Sequence, residues 1–464
     1  MNHLEKFINW IVIAFVFLLP WQIVYIFNEK FINGAKSQFL TGQLYVTELI
    51  LMLIVILYLI NNFRLSKLKE KLDLFDTHNK KNLFILSIWL FIAYSGLSIL
   101  WSADFTSAYY LWLHLLEGAG LLLIILTFNI SKTKLLWAVL FSAGLQGLLA
   151  IQQFLSQSIS ANKWLGIAHH SAGILGDIVV ETSSGRWLRA YGSFGHPNIL
   201  GGWLILGIAC GFLLWLEYFK SSGKLLPKNL KLNDPQAKIF LKRWLKILLV
   251  LILSLVASAG LFFSFSRSAW LALVLIFLAF IFSSIRLMLA LPSPKEIFQF
   301  LLLPIGIIII FASQFFIFNS LVLIRADTNN RLEAISKNER IDQIGESWRI
   351  IKKSPLTGIG INNYTLALNK IAPNQPAYDL QPVHNIYLLI VSELGIIGLI
   401  LFIFFILIAI LLIHKNSKSL LLISIFPLFL IISLFDHYLW TTYAGIVIFW
   451  LALTFNLKSD NVND

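Results

Sequence analysis

Runs of about twenty apolar residues recur from one end of this chain to the other, and no other feature restricts its fold as strongly. A run of that length crosses a bilayer as a helix with every backbone group bonded internally, whereas barrel strands would need only about ten residues of alternating polarity. With 58% hydrophobic and 13% charged residues, the chain lies outside the soluble globular range. The expected fold is therefore all-α: a polytopic membrane helical bundle forming a single integral membrane domain over 1–464.

About twelve spans are expected, at 8–27, 44–60, 83–101, 108–128, 134–155, 197–218, 245–264, 268–291, 297–318, 385–413, 419–435 and 439–456. No small-residue cleavage site follows the first, which reads as a retained helix. The net charge of +13 raises the question of a nucleic-acid partner, but lysine and arginine concentrate in a few short loops. Membrane orientation accounts for that better, and no nucleic acid is expected.

The basic loops, chiefly 61–82 and 219–246, place both termini in the cytoplasm. Four segments then share the outer face: 156–196, the Ser266-Arg267-Ser268 turn, the long extracytoplasmic loop 319–384, and the Asp436-His437-Tyr438 turn. Within the long loop, Leu332, Ile335, Ile341, Ile344, Trp348 and Ile351 recur at helical spacing, which predicts an amphipathic helix over about 330–353, ended by Pro355.

Nearly all suggestive polar residues fall in those four segments. Arg186 and Arg189 approach the membrane before a glycine-rich turn and Pro197, a first-turn helix residue whose surroundings favour an anion. Both are also placed to snorkel toward lipid headgroups. Arg267 sits between two apolar spans with almost no loop, as an anchor or as a fork for two phosphate oxygens.

His384 enters a very apolar helix after a proline-rich loop; an imidazole there can take a proton from a sugar hydroxyl near neutral pH, or simply bond a carbonyl. Asn385 is a candidate to orient that ring or donate to substrate, and Asp436 to orient a base or bind sugar hydroxyls. Glu393, His114 and Glu117 lie deep in spans, as helix-pairing groups or functional ones. One cysteine, Cys210, excludes an internal disulfide and a cysteine metal site. No P-loop or Asp-x-Asp sugar-nucleotide motif stands in a soluble domain, so the cations must stabilise any leaving group themselves.

Arg189 followed by Gly-His-Pro-Asn, the Ser266-Arg267-Ser268 helix start, the series Glu339-Arg340, Trp348, Pro355, Gly358-Ile359-Gly360, Asn363-Tyr364, and Val-His-Asn before Glu-Leu-Gly-x-x-Gly come in an order that resembles the O-antigen ligase and Wzy polymerase family of bacterial membrane glycosyltransferases. The resemblance covers about Arg189 to Gly398. It implies an inner-membrane enzyme that moves a glycan from an undecaprenyl-diphosphate-linked donor to an acceptor hydroxyl, without metal or other cofactor. By position it makes His384 the general base and Arg189 and Arg267 the diphosphate ligands, with Arg186, Asn385 and Asp436 as further substrate contacts. The acceptor, whether glycolipid, glycan or protein, stays open among ligase, Wzy-type polymerase and protein O-oligosaccharyltransferase. A flippase for the same lipid-linked donor is the reading from another class.

Overall fold

The computed structural model describes residues 3–62, 80–128, 130–183, 185–220, 235–289, 291, 293–327, 330–416 and 419–458. Most of the basic loop 61–82, half of 219–246 and part of 414–418 lie outside them. The chain is mostly helical. Its helices are α1 (His3–Leu18), α2 (Val46–Asn62), α3 (Lys80–Leu97), α4 (Phe105–Thr127), α5 (Lys132–Ser156), α6 (Pro197–Lys220), α7 (Pro235–Phe263), α8 (Arg267–Leu289), α9 (Pro294–Ile317), α10 (Asn319–Ala326), α11 (Arg331–Lys353), α12 (Tyr364–Ile371), α13 (Ile386–Asn416), α14 (Leu420–Ile432), α15 (Tyr438–Thr441) and α16 (Tyr443–Leu457).

Eight of these, α3 to α9 and α13, are long and apolar enough to cross a membrane, while α2, α14 and α16 are shorter apolar helices. By that measure the described residues hold fewer full-length spans than the twelve or so expected. The first span departs most clearly: the helix stops at Leu18, before Pro20, and Val24–Asn28 pairs antiparallel with Gly42–Tyr45 instead. Proline cannot continue the hydrogen-bond ladder, and the β-branched and aromatic residues after it suit an extended pair. Three further two-stranded pairs are present, so the fold is a helical bundle carrying small hairpins, not purely α.

Helix α6 forms the axis of the bundle, with 94% of its most apolar window buried, packed against α5, α7 and α8. Pro197 begins it, where the missing N–H costs nothing. Asp104, Ser131 and Ser293 cap α4, α5 and α9 by accepting from Thr106, Lys134 and Glu296 backbone N–H groups.

Helix α13 is broken at Gly395 (φ 67°, ψ −172°), a conformation open to glycine and barred to other residues. The Gly358-Ile359-Gly360 turn repairs the break. Ile359 and Gly360 N–H groups donate to the Ser392 and Glu393 carbonyls, and Pro355 and Leu356 carbonyls accept from Ile396 and Ile397. The loop and the broken helix thus complete each other's backbone bonding.

Helix α11 presents an unusual polarity. Ile341, Ile344 and Trp348 face outward and are exposed, whereas Glu333, Gln343, Glu346 and Ser347 are buried against the bundle. Its polar side lines the end of the bundle at which α6, α8, α13 and α15 begin, so the long loop delivers side chains to one small region.

Candidate active site

Arg189 follows the hairpin strand Gly185–Leu188 and is only 5% exposed. Two buried glutamines of α5 hold the turn behind it. Gln153 Oε1 accepts from the Tyr191 and Gly192 N–H groups, and Gln146 Oε1 accepts from that of Ser193. The guanidinium is aimed by two bonds, Nε donating to the Ser264 carbonyl at 2.8 Å and Nη2 to Asn198 Oδ1 at 2.7 Å. Burial, reinforced by the nearby charges of Arg325 and Arg267, holds its proton affinity well below the usual arginine range. A cation in that condition gains from an incoming anion.

Arg267 opens α8. Its Nη1 lies 3.1 Å from Glu333 Oε2 and also donates to the Arg325 carbonyl at 3.3 Å. With its side chain 44% exposed, it is the accessible member of the group. Arg325 is partly buried, pairs with Glu333 and donates through Nη2 to the Phe265 carbonyl at 3.1 Å. Arg340, one helical face along α11, feels the charges of Arg267, Asp436 and Glu333, and burial lowers its proton affinity first, Arg267 next. Four guanidinium groups (189, 267, 325, 340) therefore share a neighbourhood with three carboxylates (Glu333, Glu339, Asp436), and the balance is positive.

His384 is held by Gln343 of α11. The Gln343 Oε1 accepts from the His384 backbone N–H at 3.2 Å and faces its Nδ1 at 2.9 Å. An oxygen already turned toward an N–H can only accept, so Nδ1 carries the proton and Nε2 is left with its lone pair. Burial lowers the imidazole below its ordinary value, Asp436 opposes this and Arg340 adds to it.

Asp436 is buried and anchored by Asn198 Nδ2, which donates to Oδ2 at 2.6 Å, and by the His437 N–H, which donates to Oδ1 at 2.8 Å. Burial alone would raise it, but the imidazoles of His384, His437 and His196 outweigh burial and the carboxyl lies below its usual range. His437 Nδ1 bonds Thr441 Oγ1 at 2.8 Å, and its ring meets that of His384 edge to face, 4.9 Å between centroids. Burial pushes His437 down to about 3 and His196 to about 4. The result is an ionised carboxylate among neutral imidazoles. Ligand atoms of His384, Asp436 and His437 lie within 4.8 Å of one another, close enough to hold a cation as well as a proton.

Asn198 bonds both Arg189 and Asp436, so the arginine group and the imidazole group form one hydrogen-bonded assembly. Arg189, Arg267, His384 and Asp436 all belong to this region. Arg186 does not: it stands on the exposed hairpin opposite Glu181 and donates to the Ile174 carbonyl. Asn385 is also spent otherwise, its Oδ1 capping α13 at the Leu388 N–H and its Nδ2 donating to the Leu434 carbonyl. Both side chains bond to nearby backbone groups. Gln343, Arg340, Asn198 and Glu333 were given no part in the chemistry by sequence reasoning. For Arg340 the Glu-Arg pair was a usable signal; for Gln343 nothing in its neighbours marked it.

Residues 249–403 match the family model described as O-Antigen ligase. A search of the curated proteins finds no match for the chain. The matched stretch carries Arg267, Arg325, Arg340, Gln343 and His384, while Arg189, Asn198 and Asp436 flank it. By its apolar helices the chain is a multi-pass membrane protein, and its 249–403 stretch is similar to the O-antigen ligase family.

Proposed function

We propose that the chain transfers a glycan from an undecaprenyl-diphosphate-linked donor to an acceptor hydroxyl at the outer face of the inner membrane. Nε2 of His384 takes the acceptor's proton as its oxygen attacks the anomeric carbon. The bond from that carbon to the diphosphate oxygen breaks, and the carrier diphosphate leaves. Attack from the face opposite the leaving group inverts the anomeric configuration. Asp436 stabilises the imidazolium that forms, and Gln343 keeps the ring in the reactive tautomer.

The leaving diphosphate gains negative charge as the bond breaks, and fixed cations in a partly dry site stabilise that charge more than water does. The positive balance around Arg189, Arg267, Arg325 and Arg340, with Arg267 opening a long helix, suits an anionic diphosphate. No step in this scheme calls on a metal.

The observation carrying this reading is the bond from His384 Nδ1 to Gln343, because it leaves the Nε2 lone pair for the acceptor on a ring that feels both Asp436 and Arg340. The acceptor class, ligase, polymerase or protein-glycosylating, is set by groups outside this constellation; the ligase reading follows the matched domain. Purified protein given a diphosphate-linked oligosaccharide should release carrier diphosphate only with acceptor present. Transport of the intact donor across a vesicle membrane without bond cleavage would instead favour the flippase.

A further inference from the structure

A second cluster of ionisable groups lies inside the bundle, apart from the site above and independent of its reading. Glu48 in the first turn of α2 and His114 and Glu117 on α4 bring their ligand atoms within 4.8 Å of one another. Residues 114 and 117 stand one helical turn apart, so they share a face of α4. Glu48 is 3% exposed; its Oε2 accepts from the Tyr45 N–H at 3.1 Å, and its Oε1 lies 3.5 Å from His114 Nε2, a long contact.

Glu117 is 8% exposed, and both of its carboxylate oxygens are buried with no hydrogen-bond partner; His114 Nε2 has none either. Among the described residues no lysine or arginine pairs with either carboxylate. Two carboxylates and one imidazole in an apolar bundle are strongly short of positive charge. Something cationic has to sit among them, or protons must neutralise them. The donor set discriminates between cations: one imidazole nitrogen with carboxylate oxygens suits a divalent transition metal, whereas Mg2+ and Ca2+ favour all-oxygen shells.

We propose that Glu48, His114 and Glu117 bind a divalent transition-metal cation of the Zn2+ class. The Tyr443 ring lies 5.2 Å from that of His114 and stacks on Tyr45 at 5.0 Å. Tyr443 begins α16 just after the short helix α15 that follows His437. A bound ion therefore ties α2 to α4 and steadies the start of α16, behind the Asp436-His437 turn, without touching the substrate. Its role is structural.

The test is a titration of the chelator-stripped, detergent-purified full chain with Co2+, read by its visible ligand-field bands, then chased with Zn2+. Saturable uptake that Zn2+ displaces is expected. It should persist in His384→Ala, which removes the other group able to ligate, and should weaken about tenfold or more in Glu117→Gln and His114→Asn. Wild-type protein that takes up no Co2+, or uptake abolished by His384→Ala, overturns the proposal, and both readings stand even if the Glu117 and His114 variants fail to fold. Uptake unchanged in Glu117→Gln overturns it as well.

Discussion

Gln343 and His384 are forty-one positions apart, yet one amide oxygen meets both the backbone N–H and the ring Nδ1 of the histidine. If that contact sets the tautomer, Gln343→Leu should slow transfer by about tenfold or more, and His384→Ala by about 10²–10⁴, the range for loss of a general base. The check is the rate of acceptor-dependent carrier release; a Gln343→Leu enzyme with unchanged rate removes the positioning role. Because burial lowers His384, its base form already predominates at pH 7, so the acid limb of kcat/KM should fall below the ordinary histidine value of about 6.5. Asp436→Asn removes the charge that opposes this lowering and should shift the limb to still lower pH. Arg267→Ala and Arg189→Ala should each cost about 10²–10³ in kcat if they stabilise the leaving diphosphate. Lysine should restore only part of it, since it lacks the planar fork. His384, Arg189 and Arg267 stood out in the sequence because each is a lone polar group at an apolar boundary. Gln343 and Arg340 did not, because they belong to an amphipathic helix whose polar side is conventionally assigned to water, and here that side is the buried one.

At the level of elements, the apolar runs marked nearly every helix of the bundle, since length and hydropathy suffice where lipid is the solvent. They misjudged α1, where a proline and a following β-hairpin end the helix early, and they could not reveal the break in α13, because a 31-residue apolar run reads as continuous. The break depends on Gly395 and on the turn that fills it. A Cβ at Gly395 would strike the Leu356 carbonyl, and one at Gly358 the Glu393 carbonyl, both from left-handed backbone. Gly395→Ala or Gly358→Ala should therefore destabilise the chain by about 1–3 kcal/mol or more and lower its melting temperature in detergent. Melting unchanged in both variants would mean that the turn and the broken helix are not interlocked as described. Helix α11 shows the same interplay: its period was legible, but which side faced the bundle depended on partners far away in sequence.

For the molecule as a whole, three imidazoles, His437 buried and His384 and His196 partly so, have values lowered from about 6.5, His384 in direction, His196 to about 4 and His437 to about 3. The unfolded chain binds protons at these positions that the native chain refuses, so stability is full above pH about 6.5 and declines as pH falls toward 4. Thermal melting across that interval tests this, and a flat profile contradicts it. Orientation is testable because the single cysteine, Cys210, is buried and silent. Leu175→Cys, on the exposed segment before Arg189, should react with a membrane-impermeant maleimide from outside the cell, and Lys220→Cys at the far end of α6 should not. The reverse pattern would invert the assigned topology. The most direct trial of the central claim reconstitutes purified wild-type and His384→Ala protein with a diphosphate-linked oligosaccharide and an acceptor. Acceptor-dependent release of carrier diphosphate with an inverted product, slowed at least about a hundredfold in His384→Ala, is the predicted result; release at the wild-type rate in that variant, or none from the wild type, contradicts it.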